Sequence, residues 1–173
     1  MPKIIENVRE QLLAEAKRQV AEHGYASTTI RSVASKCGLG IGTVYNYFKS
    51  KEMLIATFVF EDWKEHLNEM SRLPSEDPRV LISGIYSSLG NFIEKNEKLF
   101  TDTEAAREIA VGYHARHRML REQIAAFVRP LCERRGLASP EFTAEYISES
   151  IVCWAMEGIA FDAVYPLIEK IIN

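Results

Sequence analysis

The 173-residue sequence contains few cysteines and no long apolar run. Its three cysteines, Cys37, Cys132 and Cys153, are widely spaced and form no CxxC pair, which is typical of reduced thiols in a cytoplasmic protein. No window approaches the roughly 20 apolar residues that a membrane span needs. Acidic residues interrupt the N-terminal stretch, so a signal peptide is not expected either. These absences predict a cytoplasmic protein without a membrane partner.

The sequence patterns of common catalytic sites are also absent. There is no Ser-His-Asp order, HExxH motif, P-loop or paired-carboxylate arrangement. His114, His117 and Glu157 are remote candidates for catalysis, and nothing in the sequence brings them together. His114 and His117 could share a metal ion, but no third ligand is apparent. The sequence predicts a protein that is not an enzyme and holds neither a metal nor a cofactor.

The basic residues that are present concentrate at the N-terminal end. Residues 1–51 hold eight Lys or Arg and four Glu, a net charge of +4, whereas the rest holds 13 basic and 20 acidic residues, a net charge of −7. A basic N-terminal part followed by an acidic remainder suggests that the N-terminal part binds a polyanion. A solvated charged helix would give similar counts, so the charge alone does not decide.

Hydrophobic periodicity predicts helices from the start of the chain. The first helix should end near Gly24, because apolar residues recur before it at three- and four-residue steps: Ile5, Val8, Leu12, Ala16 and Val20. Thr28 is a suitable N-cap for a short second helix that Gly38 would end. A third helix is expected at 41–48, and Ser50 would cap a fourth that runs to about residue 72.

The segment 73–78 is the clearest break in the chain, since it holds two prolines among polar residues. The helices expected after it cover 79–95, 98–112, 114–135, 140–164 and 166–172. Pro130 should kink or split the third of these. No alternating apolar pattern indicates a strand. The predicted fold class is all-α.

Residues 28–48 have the form of a helix-turn-helix, in which two short helices are joined by three residues and the first ends at a glycine. Such a motif places its second helix in the DNA major groove. Val44 and Phe48 lie four residues apart and would pack inward, whereas Tyr45 and Asn46 are rotated away from them. The second helix carries hydroxyl and amide groups suited to phosphate oxygens or base edges, on Thr43, Tyr45, Asn46 and Tyr47.

Two further residues, one inside the second helix of the motif and one after it, fit the same interpretation. Gly42 removes a side chain, so that the backbone could approach DNA closely. Lys51 would grip a phosphate together with the N-terminus of the fourth helix. The alternative is that the tyrosines are core or rim aromatics and the glycines only make turns. A helical adaptor, which would use the same shape to bind protein and not DNA, is the corresponding alternative function.

The stretch GYASTTIRSVASKCGLGIGTVYNYFKSKEML, residues 24–54, resembles the N-terminal signature of the TetR (tetracycline repressor) family. The matching positions are Gly24-Tyr25, Thr28-Thr29-Ile30, Val33-Ala34, Gly38-Leu39, Gly42-Thr43-Val44-Tyr45, Tyr47-Phe48, Lys51 and Leu54. The resemblance implies a dimeric, all-α transcription factor whose C-terminal domain binds a small ligand. We therefore expect a ligand-responsive repressor that binds a near-palindromic double-stranded DNA operator as a homodimer, with an activator as the alternative. The resemblance also implies a DNA-binding domain of three helices at 1–49 and a helical ligand-binding and dimerisation domain at 50–173.

The family's pattern gives roles to eight positions of this sequence. Thr28, Thr43, Tyr47 and Lys51 would contact phosphate, Tyr45 would contact phosphate or a base edge, and Ile41, Gly42 and Asn46 would face bases. The sequence departs from the family at Gly40, where Ser or Thr is frequent, and at Ile41, where a polar or basic residue is frequent. Because isoleucine donates no hydrogen bond, we expect Ile41 to contact a thymine methyl group or no base at all.

Aromatic residues are frequent in the body of the chain. In the family, ligand pockets lie among the helices that follow the DNA-binding domain, which raises six of them as candidates for binding a small-molecule effector: Trp63, Tyr86, Phe100, Tyr113, Phe127 and Trp154. Ordinary core packing is the alternative for each. The aromatic bias suggests an apolar or aromatic effector. The family dimerises through its last two helices, and we expect residues 142–163 to supply most of this contact because the final helix is short.

Overall fold

The computed structural model describes residues 7–103, 105 and 113–173, with the backbone alone for 113–116. The described residues form helices and contain no strand, which confirms the predicted all-α fold. The helices are α1 Val8–Ser27, α2 Ile30–Lys36, α3 Ile41–Tyr47, α4 Lys51–Met70, α5 Pro78–Lys95, α6 Glu97–Phe100, α7 Tyr113–Arg134, α8 Pro140–Met156 and α9 Phe161–Ile172. The predicted helix at 98–112 falls largely outside the described residues.

The chain forms two compact units. The N-terminal unit comprises Met1–Trp63 and Lys95–Val111, and the C-terminal unit comprises Lys64–Glu94 and Gly112–Asn173. Two of the unit boundaries fall inside helices, since α4 continues through Trp63 and α5 continues to Lys95. The boundary between functional domains, which we placed at residues 49 and 50, stays a prediction.

The core of the N-terminal unit contains the apolar stripe of α1. Four of its five predicted members are buried, Val8, Leu12, Ala16 and Val20, and the fifth, Ile5, lies outside the described residues. Side chains of α2, α3 and α4 complete this core, among them Val33, Val44, Phe48, Leu54 and Phe58. The short helices α2 and α3 therefore owe their positions to packing, because helices of seven residues are marginal on their own.

The end of α1 differs from the prediction. The helical backbone is interrupted at Gly24, where φ is +82° and ψ is 170°, and a last turn continues to Ser27. The N-cap of α2 is Thr29 and not Thr28. The Thr29 hydroxyl accepts the Ser32 backbone N–H and the Ser32 hydroxyl accepts that of Thr29, each at 3.0 Å. Thr28 instead donates its hydroxyl to the Gly24 carbonyl at 2.9 Å.

A buried carboxylate ties three segments of the N-terminal unit together. The side chain of Asp62, on α4, is 0% exposed, and it accepts from Lys17 Nζ at 2.7 Å and Lys95 Nζ at 2.5 Å. Asn96 Nδ2 donates to its other oxygen at 3.0 Å. Burial raises the pKa of Asp62, but the bonds from Lys17, Lys95 and Asn96 outweigh it, so this pKa lies below its usual value. The carboxylate therefore remains ionised in the interior.

The C-terminal unit is built around a hairpin of α7 and α8. The two helices are antiparallel, as three ion pairs between them indicate. Arg121 Nη2 lies 3.9 Å from Glu145, its Nη1 lies 3.6 Å from Glu149, and His117 lies 3.7 Å from Glu149. The helix α7 runs through Pro130 and is not split there. Gly136 ends it as predicted, with a φ of +66°.

The last two helices were placed wrongly at their junction. We expected one helix over 140–164, but α8 ends at Met156 and α9 begins at Phe161. Gly158 adopts a φ of +68°, the Gly158 N–H donates to the Ala155 carbonyl and the next N–H donates to the Trp154 carbonyl, each at 3.1 Å or less. This is the Schellman arrangement that ends a helix at glycine. The final helix consequently has 12 residues, not two turns.

Candidate nucleic-acid interface

The turn between α2 and α3 depends on two glycines. Gly38 has a φ of +67° and ends α2 with the same Schellman pair of bonds, from Gly38 N to Ser35 O at 3.2 Å and from Leu39 N to Ala34 O at 2.9 Å. Gly40 is the N-cap of α3 and has no side chain to bond the first turn. The structure therefore contains the predicted helix-turn-helix, and α3 begins at Ile41 as expected.

The inner side of α3 is fixed by apolar packing. Val44 and Phe48 are both buried in the core of the N-terminal unit, as their four-residue spacing predicted. The Phe48 N–H also donates to the Val44 carbonyl at 2.9 Å, which closes the last turn of the helix. The orientation of the remaining α3 side chains follows from these two anchors.

The outer side of α3 carries most of the predicted DNA-binding residues. Ile41 is 36% exposed, Tyr45 46% and Tyr47 43%. Gly42 and Asn46 are exposed as well, and Thr43 is half-buried. Among these α3 residues, Ile41 and Tyr45 line the groove described next, and Gly42, Thr43, Asn46 and Tyr47 do not.

An open groove of about 480 Å³ runs along this surface. Its lining combines α2, α3 and the start of α4: Thr29, Ile30, Arg31, Ile41, Tyr45, Lys49, Ser50, Lys51 and Glu52. Three of these side chains are basic and one is acidic. The groove therefore places positive charge beside hydrogen-bonding groups, which suits the phosphate backbone of a nucleic acid.

Sequence reasoning missed Thr29, Arg31 and Lys49 as members of this surface. Arg31 could have been found, because it follows the inward-facing Ile30 at the start of α2 and must point away from the core. Lys49 lies beyond the last turn of α3, and its Nζ donates to the Tyr45 carbonyl at 3.3 Å. This bond fixes the lysine at the C-terminal end of α3, where a positive charge is also favoured by the helix dipole.

Thr28 is not available to a phosphate in this arrangement. The residue is 1% exposed, and its hydroxyl is directed at the Gly24 carbonyl. The expected side-chain contact by Thr28 is therefore contradicted by its burial. The neighbouring Thr29 is exposed and lines the groove, so it is the threonine of this pair that can face DNA.

The start of α4 is held by Ser50 as predicted, since its hydroxyl accepts the Met53 backbone N–H at 3.2 Å. Lys51 Nζ lies 3.7 Å from the centroid of the Tyr25 ring. A hydrogen bond from Ser50, a bond to the Glu52 backbone N–H and one from Tyr25 lower the pKa of Glu52. The ionised Glu52 carboxylate accepts these hydrogen bonds at the N-terminus of α4, where negative charge is stabilised.

The six candidate effector-binding residues differ in their burial and belong to two compact units. Trp63 is buried in one unit, and Tyr86 is buried in the other, where its hydroxyl donates to the Ile159 carbonyl at 2.6 Å. Phe100 is exposed, Phe127 and Trp154 are half-buried, and the Tyr113 side chain lies outside the described residues. The effector site at these residues stays a prediction.

A second open groove, of about 490 Å³, lies in the C-terminal unit and contains none of these six residues. Arg79 is central to it: its guanidinium contacts Asp162 at 2.6 Å and lies 4.8 Å from the Tyr165 ring centroid. The lining of the groove contains three acidic and two basic side chains: Glu76, Asp77, Glu169, Arg79 and Arg135. Within the described part of the chain no group of three His, Cys, Asp or Glu could hold a metal ion, and the His114 side chain lies outside that part.

Known sequences agree with the geometry of the N-terminal unit. The family model of bacterial regulatory proteins of the tetR family matches residues 12–57, which span α1 to the first turns of α4. Residues 12–57 therefore correspond to the DNA-binding part of bacterial regulatory proteins of the tetR family. Members of this family are DNA-binding regulators and not enzymes.

Relatives with assigned names match part of the chain. The repressor AcnR of Corynebacterium efficiens is 31% identical over 106 residues, which cover 57% of this chain and 54% of that protein. The uncharacterized regulator YerO of Bacillus subtilis is 43% identical over 47 residues, or 27% of this chain and 16% of that protein. The matches thus span about half or less of these relatives.

Solved structures extend the likeness to the whole fold. A transcriptional regulator from Rhodococcus sp. Rha1 superposes with a TM-score of 0.62 at 20% identity, over 95% of this chain and 90% of that one. A TetR/AcrR-family regulator from Thermobifida fusca gives a TM-score of 0.61 at 19% identity, over 95% and 96%. At such identity the likeness concerns the fold. Among the described residues, moreover, no helix combines the length and apolarity that crossing a membrane requires.

Proposed function

We propose that this protein is a transcriptional repressor that binds double-stranded operator DNA through α2, α3 and the start of α4. The observation that carries the proposal is the surface of α3, on which Ile41, Tyr45 and Tyr47 are exposed while Val44 and Phe48 are buried. Exposed apolar and aromatic side chains that lie together with basic residues, as Ile41 and Tyr45 do in this groove, favour an interaction site. The name of the AcnR relative, a repressor, supports the same function.

The DNA contacts divide into positioning and base-reading groups. Thr29, Thr43, Tyr47 and Lys51 would bind phosphate oxygens, with Arg31 and Lys49 adding charge along the groove. Asn46 would read an adenine edge and Ile41 a thymine methyl group, because amides and apolar side chains suit those partners. Gly42 would let the backbone of α3 approach the floor of the DNA major groove. Tyr45 would contact a phosphate or a base edge.

The active form would be a homodimer. One seven-residue recognition helix reads only a few base pairs, so two copies about 34 Å apart would read a near-palindromic operator. The surface for this contact would be the outer side of α8 and α9. It exposes Phe142, Tyr146, Met156 and Leu167, with Phe142 exposed at 70%. Residues at such exposure would be covered by the second copy.

A small molecule would control the repressor. We propose an apolar or aromatic effector that binds in the C-terminal domain and favours a state with lower operator affinity, so that DNA and effector each weaken the binding of the other. The α4 helix connects the two functions along the chain, since it carries Lys51 in its first turn and Trp63 twelve residues later. The operator sequence selected in the following experiment would identify the controlled genes.

The test begins with selection of duplexes from a random library of about 40 base pairs by the purified protein. We expect a near-palindromic sequence to be enriched and to bind with an affinity that falls steeply as salt rises. A matched variant, Asn46→Ala, should lose preference at one symmetric pair of base positions and keep the rest. Failure to enrich any sequence, with no salt-dependent binding to duplex DNA, would overturn the proposal and favour the adaptor alternative.

A further inference from the structure

Tyr25 lies directly beneath one of the proposed phosphate-binding residues, although its side chain is buried and cannot touch DNA. The interruption at Gly24 turns the chain so that Tyr25 enters the core of the N-terminal unit. Its backbone carbonyl accepts the Thr28 N–H at 3.1 Å, which closes the turn before α2. The backbone is therefore held in place both before and after Tyr25.

The upper face of this ring meets Lys51. The ammonium Nζ is 3.7 Å from the ring centroid, well within the roughly 6 Å at which a cation is attracted by an aromatic face. The Tyr25 hydroxyl donates to Glu52 Oε1 at 3.4 Å, and Glu52 is itself bonded at the start of α4. Ring and hydroxyl therefore contact two successive residues of the helix terminus that lines the groove.

An aromatic ring holds a lysine in a way that a carboxylate does not. A carboxylate in the same place would pair with the ammonium and cancel most of its charge toward a third group. The quadrupole of the ring restrains the ammonium without itself adding a negative charge, whereas the neighbouring Glu52 carboxylate interacts with Lys51 electrostatically. Restraint also lowers the rotamer entropy that a long side chain would otherwise lose on binding.

We infer that Tyr25 is a positioning residue, whose ring holds the Lys51 ammonium at the groove for contact with a DNA phosphate. The inference rests on the proposed function, because it assigns a purpose to a buried residue through a DNA contact. It also accounts for the Gly24-Tyr25 pair: the glycine permits the turn that brings the ring under the lysine.

The test is a double-mutant cycle on the full chain with the selected duplex. Tyr25→Leu removes the ring, and Tyr25→Phe keeps it as the matched control. In the presence of Lys51 we expect Tyr25→Leu to weaken DNA binding about three- to tenfold and to lower the salt slope by up to about one unit, with Tyr25→Phe within about twofold of wild type. In a Lys51→Ala background, Tyr25→Leu should have no further effect on binding.

A second measurement is independent of DNA. The Lys51 Cε protons should show an upfield ring-current shift by NMR in the wild type and in Tyr25→Phe, and this shift should disappear in Tyr25→Leu. Urea unfolding of each variant identifies any loss of folded protein. Absence of the shift in the wild type, or an equal loss of DNA affinity in the presence of Lys51 and in the Lys51→Ala background, would overturn the positioning role alone. Absence of DNA binding by the wild type would overturn the proposed function itself.

Discussion

The exposed aromatic and apolar side chains of the two compact units differ in chemistry. On α3, in the N-terminal unit, Tyr45 carries a hydroxyl group and lines a basic groove, and Tyr47 exposes a second hydroxyl outside that lining. On α8, in the C-terminal unit, Phe142 and Met156 have no strong hydrogen-bonding group, Tyr146 beside them has a hydroxyl group, and all three are the more exposed. The first surface suits a polyanion, whereas the second suits an apolar partner such as another copy of the chain.

The two surfaces also differ in how they are supported. The α3 surface depends on two buried side chains, Val44 and Phe48, and on the glycine turn before the helix. The α8 surface belongs to a long hairpin whose opposite side is buried through Ile147 and Ile151. A short helix can therefore be disturbed by one substitution, while α8 should tolerate changes on its exposed side without unfolding.

The largest effect should come from charging the α8 surface. The double variant Phe142→Asp and Tyr146→Asp places four like charges in a homodimer contact, so we expect a monomer by analytical ultracentrifugation. Because a monomer has one recognition helix, its specific DNA affinity should fall by about a thousandfold. Ser87→Asp, on the exposed side of α5, is the matched control and should stay dimeric. A monomeric double variant with unchanged operator affinity would contradict the link between the two surfaces.

A second effect concerns the buried carboxylate of the N-terminal unit. Asp62→Ala should lower the free energy of unfolding by about 2 kcal/mol, because it removes the acceptor shared by Lys17, Lys95 and Asn96. Urea unfolding of Asp62→Ala beside Glu61→Ala, whose partner Arg9 is on the surface, gives the comparison. Equal losses in the two variants would show that burial of Asp62 adds nothing.

The same carboxylate gives a pH dependence with a defined sign. Since the folded-state pKa of Asp62 is lowered, its contribution is present above the unfolded pKa of about 4 and is lost as pH falls through the lower folded pKa. The unfolding free energy of the wild type should therefore drop on acidification below about pH 4 more steeply than that of Asp62→Ala. Parallel pH profiles of the two proteins would contradict this assignment.

A smaller effect tests the groove that the sequence did not reveal. Arg31→Ala should weaken DNA binding several-fold for all sequences and reduce the salt slope by about one unit, because Arg31 lines the groove. Lys36→Ala is the matched control, since Lys36 is an exposed basic residue at the other end of α2 and does not line it. Fluorescence anisotropy at several salt concentrations measures both. Identical slopes for the two variants would remove Arg31 from the interface.

The smallest effect concerns the unusual N-cap of α3. Gly40→Ser should raise the free energy of unfolding by a few tenths of a kcal/mol, because the hydroxyl can accept from the first turn and a Cβ there would meet only Thr43 Oγ1 at 3.9 Å. Gly38→Ser should instead destabilise by about 1 kcal/mol, since its φ is +67°. Thermal and urea unfolding distinguish the two. If both variants were less stable than the wild type, Gly40 would have a role beyond capping.

The N-terminal unit was largely predictable because its signals are local. The inward spacing of Val44 and Phe48, the helix stop at Gly38 and the cap at Ser50 all act within a few residues, and each is confirmed. The predicted N-cap of α2 was wrong, because either of the adjacent residues Thr28 and Thr29 could cap the helix. The burial of Thr28 in the core leaves Thr29 as the cap. Lys49 was missed because a groove wall is assembled from separate helices, whereas the position of Arg31 after the inward-facing Ile30 could have indicated its outward direction.

The chain by itself determined an all-α fold, a helix-turn-helix near its N-terminus and the outward face of α3, because helical periodicity and glycine stops are encoded within a few turns. Only the tertiary structure decided that Asp62 collects Lys17, Lys95 and Asn96, and that Lys51 lies over Tyr25. The partners in these contacts lie far apart along the chain, 45 positions for Lys17 and Asp62, and no local pattern specifies which distant side chains will meet in a packed core.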